Sequence, residues 1–282
     1  MSGYPVGRDE VTGALRSALE PLEHVHAMWE AGAIAFGRID EWSDIDLQVL
    51  CEDGRVEDVM ETVLRAVEEV SPVDVSFRLP EPTWHGHSQI FHRLRDAGPF
   101  LLLDLVVMER ESGKDQFLQP AIHGRPHVYF DKLGDVRWDD LDAAGHARML
   151  RDRVERHRVL YELFRPFVDK ELNRDNAIDA MGYYQGLVLR PLVELLRIAR
   201  SPLRCNFHTR YVHYELPPED VARLERLFYV RDAADLGAKC DEADAWFRQL
   251  VGEVGEGPDE SGISEAVAAE LAQRPCRGRI SP

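Results

Sequence analysis

Paired cysteines and long apolar runs are both missing from this sequence. The four cysteines among 282 residues stand far apart without a CxxC pair, so we expect neither a structural zinc site nor a disulfide-stapled scaffold. No run approaches the roughly 20 apolar residues that a membrane helix needs, and the N-terminal stretch has no apolar signal core. We therefore expect a soluble, cytoplasmic protein without a membrane partner.

Basic residues are also few relative to acidic ones. The chain carries 51 Asp and Glu against 34 Lys and Arg, which gives a formal net charge of −17. Because this charge repels a nucleic-acid backbone, we predict no nucleic-acid partner and favour a small or cationic substrate. At roughly 100 to 200 residues per domain, the length predicts two domains.

The most informative stretch is GAIAFGRIDEWSDIDLQVL, residues 32–50. Asp44, Ile45 and Asp46 alternate polar, apolar, polar at the start of an apolar strand, so both carboxylates project from one face. Two like charges in one small space raise each other's pKa unless a hard cation with oxygen ligands lies between them. The pair predicts a magnesium site, and a solvated strand start is the alternative.

Gly32 and Ala33 precede this pair, and Ser43 adjoins it. In that spacing the stretch resembles the nucleotidyltransferase superfamily, whose signature is an apolar residue, Gly, then Gly or Ser, a short spacer, and two acids flanking an apolar residue. Ala33 departs from the signature, so backbone N–H groups would replace a hydroxyl in holding a triphosphate oxygen. The resemblance implies that Gly32 and Ala33, assisted by Arg38 or Ser43, contact a nucleoside triphosphate.

A third carboxylate is predicted on a later strand. Asp104 is the one charge in the nearly continuous apolar run 100–108, and a lone buried acid is costly unless something pairs with it. The resemblance implies that the superfamily's third metal-binding carboxylate lies here, as a metal ligand or as a general base. An ion pair with an arginine is the structural alternative, and Asp74 on an earlier strand is the rival third acid.

Periodicity predicts the elements around these residues. An amphipathic helix is expected over residues 11–29, followed by a hairpin of two strands over 31–36 and 44–51. From residue 139 onward the pattern is helical, with Pro191 expected to kink the helix over 176–198. The remaining predicted elements are one helix and four strands, at 56–70, 73–77, 87–94, 100–108 and 127–130.

The fold class predicted from this order is α+β. Residues 1–138 would form a nucleotidyltransferase-type mixed sheet flanked by helices, and 139–251 an all-α helical bundle. Residues 252–282, rich in Gly and Glu at their start, would form a flexible tail. The order of elements is similar to the aminoglycoside adenylyltransferases, especially the streptomycin-modifying branch.

The resemblance implies a magnesium-dependent enzyme that transfers AMP from ATP to a hydroxyl of a small molecule, such as an aminoglycoside-like acceptor, and releases pyrophosphate. Two magnesium ions held by Asp44, Asp46 and Asp104 would clamp the attacking and leaving oxygens. Two alternatives stay open. One is a regulatory enzyme that transfers AMP to a protein, and the other is a non-catalytic nucleotide-binding protein, which Ala33 makes conceivable.

Overall fold

The computed structural model describes residues 4–273. The chain divides between Asp140 and Leu141 into two compact units, the first built on a sheet and the second on helices. The predicted α+β class is confirmed by this composition. Within residues 4–273, no helix is long and apolar enough to cross a membrane.

A six-stranded mixed sheet forms the centre of the first unit. Its strands are β1 (Val25–Glu30), β2 (Ile45–Cys51), β3 (Val73–Arg78), β4 (Ser88–Leu94), β5 (Leu102–Glu109) and β6 (His127–Asp131). The order across the sheet is β3-β4-β5-β2-β1-β6, with β2 and β5 parallel and the other neighbours antiparallel. β2 therefore has a hydrogen-bonded strand on both sides, which fixes its register.

Two helices, α1 (Arg8–Leu19) and α2 (Val56–Val70), cover one face of this sheet. The buried core that they form with β2 and β5 includes Val11, Leu15, Leu19, Val59, Val63, Val67, Ile45, Leu47, Val49, Leu103, Leu105 and Val107. Each such side chain contributes roughly 1.5–3 kcal/mol on burial, so the two strands are firmly held. Along β2 and β5 the core residues alternate with Asp46 and Asp104, which therefore project from the opposite face.

A smaller apolar cluster covers part of that opposite face. It consists of Ala27, Trp29, Leu50, Met108 and Leu118. These residues include the later positions of β2 and β5, whereas the aspartates lie at the starts of the same strands. The cluster therefore lies toward the opposite ends of β2 and β5 from the two aspartates.

The helix predicted over residues 11–29 ends at Leu19, and the prediction is wrong for its second half. That half contains β1, which is buried along its whole length. A register shift between Val25 and Ala27 lets Val25 and Met28 pack into the same core. A bulge in a strand thus reproduces the apolar spacing of a helix.

The strand predicted over residues 31–36 is also wrong. Gly32 has a φ of 61°, which turns the chain, and Ile34–Phe36 form a single 3-10 turn. The hairpin at the acidic pair instead joins β1 to β2 through residues 31–44. The other predicted strands and the helix over 56–70 agree with the observed bounds to within two residues.

The second unit consists of helices, as predicted. After a short α3 (Pro120–His123) in the first unit, these are α4 (Ala143–Phe164), α5 (Pro166–Leu172), α6 (Ala177–Tyr183), α7 (Arg190–Arg200), α8 (Val212–Glu215), α9 (Pro218–Phe228), α10 (Ala233–Val254) and α11 (Glu260–Gln273). Just before Pro191, where a kink was predicted, a π-helical stretch, Tyr184–Leu189, joins α6 to α7. Proline supplies no backbone donor, and the wider helix accommodates that loss.

The segment predicted as a flexible tail from residue 252 differs in its described part. It contains the end of α10 and the whole of α11, where Ile263 is fully buried. Glu270 on α11 pairs with Arg204 at 3.0 Å. Composition did not predict this attachment because it depends on contacts with distant parts of the chain, among them α4 and the segment that contains Arg204. The end of the predicted tail, residues 274–282 with Cys276 among them, lies outside the described residues.

Candidate functional site

The register of the parallel strand pair brings the predicted carboxylates together. Asp46 on β2 is the register partner of Asp104 on β5, and neighbouring strands lie about 4.8 Å apart. Both project from the face that α1 and α2 leave free. Asp44 lies one residue before β2, and its charge acts on Asp104. The three acids thus lie together at the N-terminal ends of the parallel strands β2 and β5.

Asp104 occupies less polar surroundings than a surface aspartate. Burial raises the pKa of Asp104, a hydrogen bond from Gln89 opposes that rise, and the charge of Asp44 adds to it. Nε2 of Gln89 donates to Oδ1 of Asp104 at 2.7 Å. Within residues 4–273, Oδ2 of Asp104 has no hydrogen-bond partner and no arginine pairs with the carboxylate. The structural alternative, an ion pair at this position, is therefore not formed.

Gly32 lies directly against the carboxylate of Asp46. A Cβ at Gly32 would lie 1.6 Å from Oδ2 of Asp46 and 2.6 Å from its Cγ. The N–H of Ala31 donates to the carbonyl of Asp46 at 2.9 Å, which anchors the turn to β2. Both the left-handed backbone and this close approach require glycine at position 32. Ala33 follows as the residue before the 3-10 turn.

The other two residues predicted to contact a triphosphate have partners inside the loop. The hydroxyl of Ser43 donates to Oδ1 of Asp40 at 2.8 Å and accepts from the N–H of Asp40 at 3.0 Å. The guanidinium carbon of Arg38 lies 5.0 Å from the centre of the Phe36 ring. These contacts brace the loop that leads to Asp44, and phosphate binding by Arg38 or Ser43 stays a prediction.

A buried ion pair that sequence reasoning missed fixes the backbone at Asp44. Arg8, at the start of α1, donates to the carbonyls of Ser43, at 3.0 Å, and Asp44, and it pairs with Glu30 at the end of β1. Glu30 is 1% exposed and also accepts from the hydroxyl of Tyr129 at 2.7 Å. The only signal in the sequence was Glu30, a single acid at the end of the apolar stretch that forms β1.

A second missed group lies beyond Asp104. Gln89 on β4 is the register partner of Val106, so it reaches Asp104 diagonally across the antiparallel pair. Nε2 of His85 lies 3.0 Å from Oε1 of Gln89. The sequence predicts a strand over residues 87–94, but the register between β4 and β5 that brings Gln89 to Asp104 could not be read from it.

Asp74, the rival for the third position, lies away from the acidic pair. It is on β3, at the edge of the sheet, with β4 and β5 between it and β2. Its exposed carboxylate pairs with Arg93 at 3.1 Å, and this hydrogen-bonded pair lowers the pKa of Asp74. Asp104 is therefore the acid beside Asp46, and its role as the third carboxylate stays a prediction.

The carboxylate oxygens at the starts of β2 and β5 fit a magnesium ion that is also coordinated by a bound phosphate. Carboxylate oxygens are the donors that magnesium prefers, and the ion usually takes one or two of them and completes its shell with water and substrate phosphates. Within residues 4–273, no group of three or more His, Cys, Asp or Glu side chains is arranged to hold an ion alone. Magnesium binding by Asp44, Asp46 and Asp104 therefore stays a prediction.

Comparison with known proteins gives a distant likeness. No protein-family model and no curated protein matches the chain. It is similar to an aminoglycoside 6-adenyltransferase from Bacillus subtilis, with 15% identity and a TM-score of 0.37 over 94% of this chain and 99% of that one. It is also similar to spectinomycin adenyltransferase AAD(9) from Enterococcus faecialis, solved with ATP and spectinomycin, with 10% identity and a TM-score of 0.31 over 93% of this chain and 97% of that one. Both of these structural neighbours are nucleotidyltransferases.

Proposed function

We propose that this chain is a magnesium-dependent nucleotidyltransferase that transfers AMP from ATP to a hydroxyl of a small molecule and releases pyrophosphate. The observation that carries the proposal is the pairing of Asp46 with Asp104 across β2 and β5, with Asp44 close enough to act on Asp104. Burial raises the pKa of Asp104 and the charge of Asp44 adds to that rise, and a cation brought by a triphosphate would offset both.

Asp44 and Asp46 are the proposed magnesium ligands, and the ion supplies charge neutralisation for the triphosphate and the leaving pyrophosphate. The backbone N–H groups around Gly32 and Ala33 are proposed to bind phosphate oxygens, with Arg38 or Ser43 assisting. Gly32 suits this role because a side chain there would collide with Asp46. The backbone can therefore approach a phosphate next to the ion.

Asp104 is proposed to accept the proton of the acceptor hydroxyl. Burial raises its pKa, which makes its carboxylate a stronger base than that of an exposed aspartate. The acceptor oxygen forms a bond to the α-phosphorus while the bond from that phosphorus to the α,β-bridging oxygen breaks. Pyrophosphate leaves with the electron pair, and the hydroxyl proton passes to Asp104. Positioning of the two reactants supplies much of the remaining acceleration.

ATP and an aminoglycoside-like acceptor are proposed from the resemblance of residues 32–46 and of the element order to the aminoglycoside adenylyltransferases. A net charge of −17 also suits a cationic acceptor and opposes a nucleic acid. A hydroxyl acceptor suits the proposed chemistry, since it carries a proton that Asp104 can accept.

The test measures pyrophosphate release from ATP and magnesium with streptomycin, spectinomycin and related amino sugars as acceptors. Asp46→Asn and Asp104→Asn are expected to lower turnover by about 100-fold or more, because each removes a charge at the reacting centre. Asp74→Asn is the matched control, since it makes the same change at an exposed position of the same sheet. Loss of activity in Asp74→Asn but not in Asp104→Asn would contradict the assignment.

The affinity for manganese in the presence of ATP shows whether Asp104 is a metal ligand or a general base. If Asp104 is the base, Asp104→Asn keeps the manganese affinity within about threefold, whereas Asp46→Asn loses about 10-fold or more. AMP labelling of a protein without turnover of any small acceptor would assign the activity to a protein acceptor. Absence of both ATP binding and turnover would refute the catalytic proposal.

A further inference from the structure

A short chain of hydrogen bonds leads from Asp104 to a histidine outside the acidic group. Oδ1 of Asp104 accepts from Nε2 of Gln89 at 2.7 Å, and Oε1 of Gln89 lies 3.0 Å from Nε2 of His85. His85 lies in the loop before β4 and is half-buried. The amide of Gln89 thus has one partner on each side.

The neighbours of His85 determine which ring nitrogen carries the proton. The backbone N–H of His87 donates to Nδ1 of His85 at 3.1 Å. The nearby hydroxyl of Thr83 donates its proton to the carbonyl of His87 at 2.6 Å, so it cannot also donate to the ring. A neutral His85 therefore carries its hydrogen on Nε2 and donates it to Oε1 of Gln89.

This arrangement leaves one orientation for the amide. Because Oε1 of Gln89 accepts from His85, its NH₂ group faces Oδ1 of Asp104. The neutral amide of Gln89 orients the carboxylate and leaves its charge in place. An arginine at the same position would neutralise that charge. Oδ1 is then occupied, and Oδ2 is the oxygen of Asp104 that has no partner within residues 4–273.

We propose that His85 and Gln89 are positioning residues for Asp104, an inference that rests on the proposed function. His85 holds the long side chain of Gln89 in one rotamer, and Gln89 holds Oδ1 so that Oδ2 alone is presented to the acceptor hydroxyl. Neither residue touches the substrate in this scheme. Partners of this outer kind typically change activity by about 10- to 100-fold when removed.

Two substitutions at His85 separate its two hydrogen bonds. His85→Gln keeps a donor near the position of Nε2, where it can reach Gln89, and loses the acceptor for His87. His85→Asn keeps an acceptor near the position of Nδ1 and cannot reach Gln89. Both replace the ring by an amide, so they form a matched pair, and His213→Asn changes an exposed histidine on α8 as a further control.

Steady-state kinetics are measured with ATP and with whichever small acceptor in the panel above gives the highest rate. His85→Asn is expected to lower kcat about 10-fold with KM for ATP unchanged, while His85→Gln recovers most of that loss. Gln89→Leu should lower kcat at least as far. In the Gln89→Leu background, His85→Asn should add no further loss, because His85 acts only through Gln89. Additive losses, or equal losses in both His85 variants, would overturn the proposal.

A second measurement does not depend on turnover. In ¹⁵N spectra of the free protein, the side-chain NH₂ of Gln89, assigned by its absence in Gln89→Leu, should be shifted and protected from exchange in the wild type and His85→Gln. It should move toward the values of a free glutamine in His85→Asn. An unchanged resonance in His85→Asn would overturn the proposal. If the Gln89 NH₂ resonance is shifted and protected as expected, but the protein turns over no acceptor, only the proposed function is refuted.

Discussion

Replacing Gly32 with alanine tests whether the turn and Asp46 belong to one site. The new Cβ would lie 1.6 Å from Oδ2, 2.6 Å from Cγ and 3.1 Å from Cβ of Asp46. To reach an ordinary contact distance, the carboxylate oxygen must move by roughly 2 Å. The φ of 61° adds strain, because a side chain is disfavoured in the left-handed region.

The two effects have separate consequences. The backbone strain should lower the free energy of unfolding by about 1–2 kcal/mol. In a unit of this size, that loss lowers Tm by roughly 3–8 °C. The displaced carboxylate should affect the reaction more, since a misplacement of about 1 Å can lower a rate roughly 100-fold. We therefore expect Gly32→Ala to remain folded and to lose at least about 100-fold in turnover.

Gly37→Ala is the matched control for the strain. Gly37 has a φ of 64°, close to that of Gly32, but nothing lies within 4 Å of a Cβ there. We expect Gly37→Ala to lose a similar amount in Tm, measured by thermal denaturation, and to keep pyrophosphate release within about threefold of wild type. If Gly32→Ala and Gly37→Ala turned over ATP equally fast, the carboxylate of Asp46 would not lie at the reacting centre.

Three further substitutions test stability. Arg8→Ala should lower the free energy of unfolding by about 3–5 kcal/mol in denaturant titrations, because it leaves the buried carboxylate of Glu30 without its cation. A loss below about 1 kcal/mol would contradict this prediction. Because burial raises the pKa of Asp104, its ionisation costs stability as the pH rises above about 3.9, so Asp104→Asn should raise Tm more at pH 8 than at pH 4. Burial acts to raise the pKa of Glu194, but hydrogen bonds from His157 and Arg153 lower it from 4.5 to about 2. The stability from this pairing is complete above about pH 4.5 and is lost as the pH falls toward 2. In Glu194→Gln, Tm should therefore fall less than in the wild type as the pH is lowered from about 4.5 to about 2.

The positions of Asp46 on β2 and Asp104 on β5 were predictable because the signal for each is local. Alternation within a strand places Asp46 on one face and Ile45 and Leu47 on the other, and those two residues do lie in the core. Asp104 was equally visible as the one charge in an apolar run. Their meeting depends on the parallel register of β2 and β5, which no local pattern encodes.

The supporting groups could not be predicted because they join distant parts of the chain. Arg8 and Glu30 belong to different elements, and their pairing depends on where α1 packs on the sheet. Gln89 reaches Asp104 only in the observed antiparallel register. The error in β1 has a different cause, since a bulge gave a buried strand the spacing of a helix.

The surroundings of Asp104 favour a role in chemistry over a role in folding. Leu103 and Leu105, its neighbours along β5, contribute to the core, so the strand is held without any help from the acid. An arginine in place of Gln89 would offset the half-buried charge and lower the pKa of Asp104, whereas glutamine orients the carboxylate and leaves its charge available. The sheet therefore carries a half-buried acid at a cost to stability that an ion pair would reduce. A perturbed acid beside two others is compatible with the role of proton acceptor proposed above for Asp104.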